Sequence, residues 1–177
     1  MKNYVYIAQS LDGFIAGPNG ELDWLENIDN PDQSDFGFSS FMSTVDALVM
    51  GKNTFEKVFS FGMWSYEKPV FVASSSLSVL PSSLEGKAFL LKGNPEDIVT
   101  ELHEKGYENL YIDGGAVIQS FLKKDLIDEL MITTVPVLLG EGIPLFGYLP
   151  KQLQLKLVGS EVLLNQMVKT HYQVKKA

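Results

Sequence analysis

The stretch LYIDGGAVIQSFL, Leu110–Leu122, carries a short apolar run into two adjacent glycines and out into apolar residues at helical spacing. A run of this kind closed by turn residues predicts a buried strand over Asn109–Gly114, and the 3.6-residue spacing predicts a helix over Ala116–Lys123. The same strand signature recurs upstream in Asn3–Ala8, DALVMG (Asp46–Gly51), PVFVAS (Pro69–Ser74) and KAFLLK (Lys87–Lys92). Helical spacing fills the intervals Asp35–Val45, Asn53–Phe61 and Pro95–Lys105, the last with Asn94 as N-cap, Pro95 at the first helical position and Asp97 in the first turn. Strand and helix thus alternate to about residue 123, which predicts an α/β fold: a mostly parallel mixed sheet with helices on both faces.

The last third reads differently. IDELMITTVPVLLG (Ile127–Gly140) is a long strand-like segment, and Leu153–Val174 alternates as two antiparallel strands, a C-terminal antiparallel hairpin. GEGIPLFGYLP between them is Gly- and Pro-rich and is expected to be a loop packed by Phe146 and Tyr148. With 177 residues and neither repeat nor linker, the chain is read as a single domain over 1–177.

Composition narrows the function. A net charge of −8 speaks against nucleic acid, whose binding draws on clustered cations. No apolar run approaches the length of a bilayer span, so no membrane partner is expected, and the first residues lack a secretory signal, which points to a cytoplasmic protein. Without cysteine there is no disulfide, thiolate metal site or cysteine nucleophile. With only His103 and His171 as histidines, no metal site is expected.

In open α/β sheets ligands lie beyond the carboxyl ends of the parallel strands, and four such ends draw notice. After the first strand, SLDGFIAGPNGELDW (Ser10–Trp24) mixes three glycines with Phe14 and Ile15, a composition suited to a lid that excludes water from a flat ligand. VMGKNTFEKV (Val49–Val58) places Lys52, Asn53 and Thr54 at a helix start, where free N–H groups and the dipole favour an anion. A P-loop is excluded there, because its first glycine would fall on Asp46 and its flexible loop on the apolar ALVM. VASSSLS (Val72–Ser78) offers hydroxyls and amides, and the Gly114–Gly115 pair lets backbone approach a pyrophosphate. An elongated nucleotide could touch all four.

Together the motifs SLDGFIAG, MGKNTFE, SSS, DGGAVIQSFL and IDELMITTVPVLLGEGIPLF resemble, in order and over essentially the whole chain, the dihydrofolate reductase-like family. Within it they are similar to the small proteins related to the reductase domain of the bacterial riboflavin-biosynthesis deaminase-reductase. The resemblance implies an NADPH cofactor. It implies that Ala8 and Ile15 line the nicotinamide, that the loop through Asn19 closes over it, and that Gly51, Lys52, Asn53 and Thr54 hold phosphates. By the same likeness Ser74, Ser75 and Ser76 would lie near the 2′-phosphate, and Gly114, Gly115, Ala116 and Val117 would meet the pyrophosphate. The expected function is an NADPH-dependent oxidoreductase reducing a small heterocycle, as in pyrimidine reduction for riboflavin or dihydrofolate reduction. The alternative is a module that binds a nucleotide or planar ligand without turnover.

For catalysis the candidates are Asp12, in the SLDG motif, and Asp35, at the start of a predicted helix; Trp24 and Phe36 are candidates to stack on a substrate ring. Met1–Val45 contains Lys2 as its only cation, which argues against a phosphoribosyl substrate. Relatives of this kind commonly pair, and the apolar terminal hairpin would serve a homodimer.

Overall fold

The computed structural model describes residues 1–176. Its first strand, β1 (Lys2–Ser10), is followed by β2 (Phe14–Ala16), α1 (Asp23–Glu26), α2 (Phe38–Met42), β3 (Ala47–Gly51), α3 (Lys52–Ser60), β4 (Val70–Ala73) and β5 (Ala88–Leu91). Then come α4 (Pro95–Glu104), β6 (Asn109–Asp113), α5 (Gly115–Leu122), β7 (Glu129–Val135), β8 (Ile143–Pro144), β9 (Leu155–Leu163) and β10 (Met167–Val174). Eight strands form one sheet in the order β5-β4-β3-β6-β1-β7-β10-β9. The pairs from β5 to β7 are parallel, while β10 runs antiparallel to both β7 and β9. The expected mixed sheet with a terminal hairpin is therefore what forms.

Strand parity sorts side chains onto two faces. On one, Val5, Leu110, Ile112, Leu130 and Ile132 pack beneath Ile98 and Leu102 of α4 and Ile118 and Phe121 of α5. On the other, Leu48, Met50 and Tyr111 pack beneath Phe41 of α2 and Phe55 of α3. β3 and β4 are buried on both sides, which is why they read as continuous apolar runs.

Several sequence expectations are corrected. The helix expected over Asp35–Val45 is only Phe38–Met42: Gly37 precedes it at φ 88°, and Asp35 lies outside as a capping group. The strand expected over Ile127–Gly140 is seven residues long, because Val137 N–H turns back to the Val135 carbonyl and ends the ladder. The Gly- and Pro-rich loop is not packed by Phe146 and Tyr148, both exposed; Leu145 is the buried residue, drawn in as β8 pairs with β2 and Leu145 N–H bonds the Gly13 carbonyl. This small second sheet pins the glycine-rich segment after β1 against the segment after β7.

Candidate functional site

Four chain segments meet at the carboxyl ends of β1, β3 and β6. A Cβ built on Gly114 would fall 2.1 Å from Thr54 Oγ1, one on Gly51 3.1 Å from Val117, and one on Gly115 2.9 Å from Ile15 Cδ1 and 3.4 Å from the Pro144 carbonyl. The start of α5 thus packs against the start of α3 on one side and against β2 and β8 on the other. Gly114 also sits at φ 88°, ψ 138°, a conformation that only glycine adopts without strain.

Both helix starts are electrostatically open. The N-cap of α3 is Gly51 and that of α5 is Gly114; neither supplies a side-chain cap, and neither helix has an acidic residue in its first turn. Their leading N–H groups are available to an anion, and the helix dipoles favour one. Lys52 adds a cation, half exposed and 3.7 Å from Glu56.

On the α2/α3 face, one residue before the glycine pair, stands Asp113. It is register partner to Met50 and follows Tyr111 on the same face. Burial pushes its carboxyl up to about 6, although the Gly114 amide and the Tyr111 hydroxyl pull the other way. Among the described residues it is the one carboxyl held above its ordinary range. Its surroundings are aromatic: Tyr111 donates to the Tyr6 carbonyl at 2.8 Å and meets Phe38 edge-on at 6.4 Å, and burial raises the Tyr6 phenol to about 12 and Tyr66 and Tyr111 further.

Across β1 the same face carries Ala8, against which Trp24 packs together with Phe36, Val135 and Met167. Trp24 is 8 % exposed, and its indole N–H has no hydrogen-bond partner among the described residues. Phe36 takes φ 55°, unusual for a bulky side chain, and is held there by its carbonyl, which accepts from Tyr6 Oη at 2.8 Å and Lys169 Nζ at 2.7 Å.

The model of the RibD C-terminal domain matches residues 4–169. The chain belongs to the RibD C-terminal domain family. It is similar to a protein of solved structure from Shewanella sp. PV-4, provisionally named for riboflavin biosynthesis, with 50% identity and a TM-score of 0.96 over 99% of this chain and 100% of that one. Uncharacterized protein YwjB of Bacillus subtilis is 38% identical over 97% of each chain. The dihydrofolate reductase from Enterococcus faecalis, solved in complex with NADP(H) and RAB-propyl, shares the fold at 18% identity and a TM-score of 0.69, over 99% of this chain and 97% of that one. The RibD C-terminal domain family and this shared fold make the chain reductase-like.

Against that background, the structure brings together most of the residues expected at a cofactor site. Ile15, Gly51, Thr54, Gly114, Gly115 and Val117 touch or nearly touch; Lys52, Asn53 and Ala116 occupy the two open first turns. Ser74 lies one strand over, since Ala73 pairs with Gly51, and its hydroxyl accepts from the Ser76 and Leu77 amides in a closed turn beside exposed Ser75. Asn19 stands apart, its side chain taken by Glu21 Oε1 at 2.8 Å in a surface turn.

The two catalytic candidates, Asp12 and Asp35, both accept from backbone amides. Asp12 accepts from Ser10 Oγ at 2.5 Å and from the Leu139 and Gly140 amides, bonds that hold its carboxyl low and clamp the β1 loop to the segment after β7. Asp35 is exposed and held near about 2 by the Ser39 hydroxyl and amide and the Gly37 amide at the head of α2. Asp113 was missed because DGG reads as a turn; its position at the last strand residue, with Tyr111 two residues earlier, is the signal that could have found it.

Proposed function

We propose that the chain is an NADPH-dependent reductase of a small nitrogen heterocycle, acting in the cytoplasm. The observation that carries this reading is the abutment of two uncapped, acid-free helix starts beside a half-buried carboxyl at the same sheet edge. A reduced nicotinamide held there would supply hydride chemistry. The α3 and α5 amides with Lys52 would hold its phosphates, Ile15 and Ala8 would wall its ring, and the β2–β8 pairing would keep water from it. The nitrogen needs a proton as hydride arrives. Asp113, protonated in part near neutral pH, gives its carboxyl proton to that nitrogen and regains one from water.

The test is titration with NADPH, read by quenching of tryptophan fluorescence and by thermal stabilisation, then absorbance at the nicotinamide band with pyrimidine and pterin substrates. Saturable binding with turnover supports the reading; binding without consumption favours the non-catalytic alternative; no binding overturns both.

We also propose that the chain forms a homodimer through the terminal hairpin. β9 is an open edge, and Leu155, Leu157, Val162 and Val168 lie exposed on one face of β9 and β10. Pairing β9 antiparallel to itself about Val158 and Gly159 sets Lys156 opposite Glu161 in both halves. Light scattering should give a dimer mass that Val162→Asp reduces to a monomer.

A further inference from the structure

We infer that Lys169, on the terminal hairpin, is a positioning residue of the reductase site: with Tyr6 it grips the Phe36 carbonyl and so holds the Phe36 side chain as one wall of the place where the ring is reduced. What that wall faces rests on the reductase reading. Lys169 extends that reading by a residue that touches neither cofactor nor substrate and acts through the chain segment it holds.

Strain singles out the segment. Phe36 at φ 55° and Gly37 at φ 88° are two consecutive residues in the left-handed region. At 37 a glycine removes the penalty, whereas at 36 a bulky aromatic residue bears it, and such strain persists only where the surroundings over-determine the backbone. The surroundings here are two donors on one carbonyl, Tyr6 Oη at 2.8 Å and Lys169 Nζ at 2.7 Å. The ammonium is the stronger of the two because it is charged. A Cβ on Gly37 would come 3.2 Å from Nζ, so the same glycine leaves the ammonium its path. Glycine at 36 would relieve the strain at once; phenylalanine supplies a ring instead, and that ring packs with Trp24 and Ala8.

Position ties the segment to the site. Ala8, Thr133 and Lys169 are register partners across β1, β7 and β10, so their side chains stand in one row on one face of the sheet. Lys169 is therefore level with Ala8, and its ammonium lies 5.9 Å from the centre of the Tyr6 ring. Two residues beyond Phe36, the Phe38 ring meets Tyr6 at 5.7 Å and Tyr111 at 6.4 Å, the latter on the strand that ends at Asp113. The segment thus spans from the Ala8 side of the site to the strand of its carboxyl. Beside it, a groove of about 350 Å³ lined by Tyr4, Tyr6, Gly37, Phe41, Met131 and Lys169 gives the segment room to swing once its carbonyl is released. Glu161 of β9 pairs with Nζ at 2.5 Å and anchors the ammonium from the far side.

The experiment compares the full protein with Lys169→Met, which keeps the aliphatic stem and removes the donor, and with Lys169→Arg, which keeps a charged donor. Amide exchange followed by mass spectrometry should quicken about tenfold in residues 27–37 of Lys169→Met and stay at the parent rate in Lys169→Arg. With the pyrimidine and pterin substrates, KM should rise about tenfold in Lys169→Met and return in Lys169→Arg, while kcat and the NADPH dissociation constant stay within about twofold. Tyr6→Phe, which removes the uncharged donor, should shift exchange and KM the same way by a smaller factor, and it carries the test if Lys169→Met does not fold. Unchanged exchange in residues 27–37, an unchanged KM, or a loss spread equally over KM, kcat and NADPH affinity overturns the inference. If NADPH binds and no substrate is consumed, the nucleotide's protection of residues 27–37 from exchange takes the place of KM. Protection lost in Lys169→Met and kept in Lys169→Arg supports the positioning role; equal protection in all three proteins overturns it. Failure of NADPH to bind overturns the reductase reading instead, and exchange without nucleotide still decides whether Lys169 holds the segment.

Discussion

Three helices start at the same edge of the sheet, yet α4 begins differently from α3 and α5. Asn94 caps α4 by accepting from the Asp97 amide at 3.0 Å, Pro95 occupies the first position where no N–H is needed, and Glu96 and Asp97 complement the dipole. A ligand anion would gain nothing there. The α3 and α5 starts have glycine caps and no acid, so their amides and dipoles are left without the side chains that stabilise α4. The difference teaches that stability features are present where the edge is structural and absent where we propose that a ligand binds.

Breaking the comparison most forcefully, Gly114→Ala should abolish nucleotide binding and cost about 2–3 kcal/mol, because it combines φ 88° with a Cβ against Thr54 Oγ1. Calorimetric melting with a parallel NADPH titration checks both effects.

Asp113→Asn comes next. Since the folded-state carboxyl is raised to about 6 from an ordinary value near 3.8, the folded chain holds the extra proton between those values. Asp113 therefore lowers stability as pH climbs from about 4 to 6, and the deficit persists above that. The variant should flatten the slope in that window and be more stable than the parent at pH 7 by roughly 3 kcal/mol. Melting temperatures measured from pH 4 to 8 would expose a persisting slope.

Giving α3 and α5 the acids that α4 has sharpens the contrast further. Asn53→Asp and Ala116→Asp should each weaken NADPH at least tenfold while stabilising the chain by about 0.5 kcal/mol, opposite signs that a merely disrupted fold would not produce. Smallest is the converse change: Asn94→Ala should cost about 1 kcal/mol on loss of the cap and leave nucleotide affinity unchanged, as urea melts and titration would record.

Much of this was legible in one dimension. Ala47–Gly51 and Val70–Ala73 announced themselves as buried parallel strands because apolar residues on both faces leave no alternation, and Asn94-Pro95 marked α4 because cap chemistry is local. The glycines at 51, 114 and 115 were readable for the same reason. Long-range events were not: Ile143–Pro144 is too short to show a period, so the choice of Leu145 over Phe146 as the buried residue emerged only from its pairing with Phe14–Ala16. Asp12 and Asp35 looked available until distant or neighbouring amides were seen to occupy them.

The sequence by itself determined the order of strands and helices, the C-terminal hairpin, the absence of arginine and the acidic first quarter, since these follow from local propensity, periodicity and count. Only the tertiary structure decided which carboxyl is half buried among aromatic rings and that the indoles of Trp24 and Trp64 have no partner among the described residues. Burial and partnership depend on which face of a strand is covered and by what, and that is fixed when segments far apart in the chain come together.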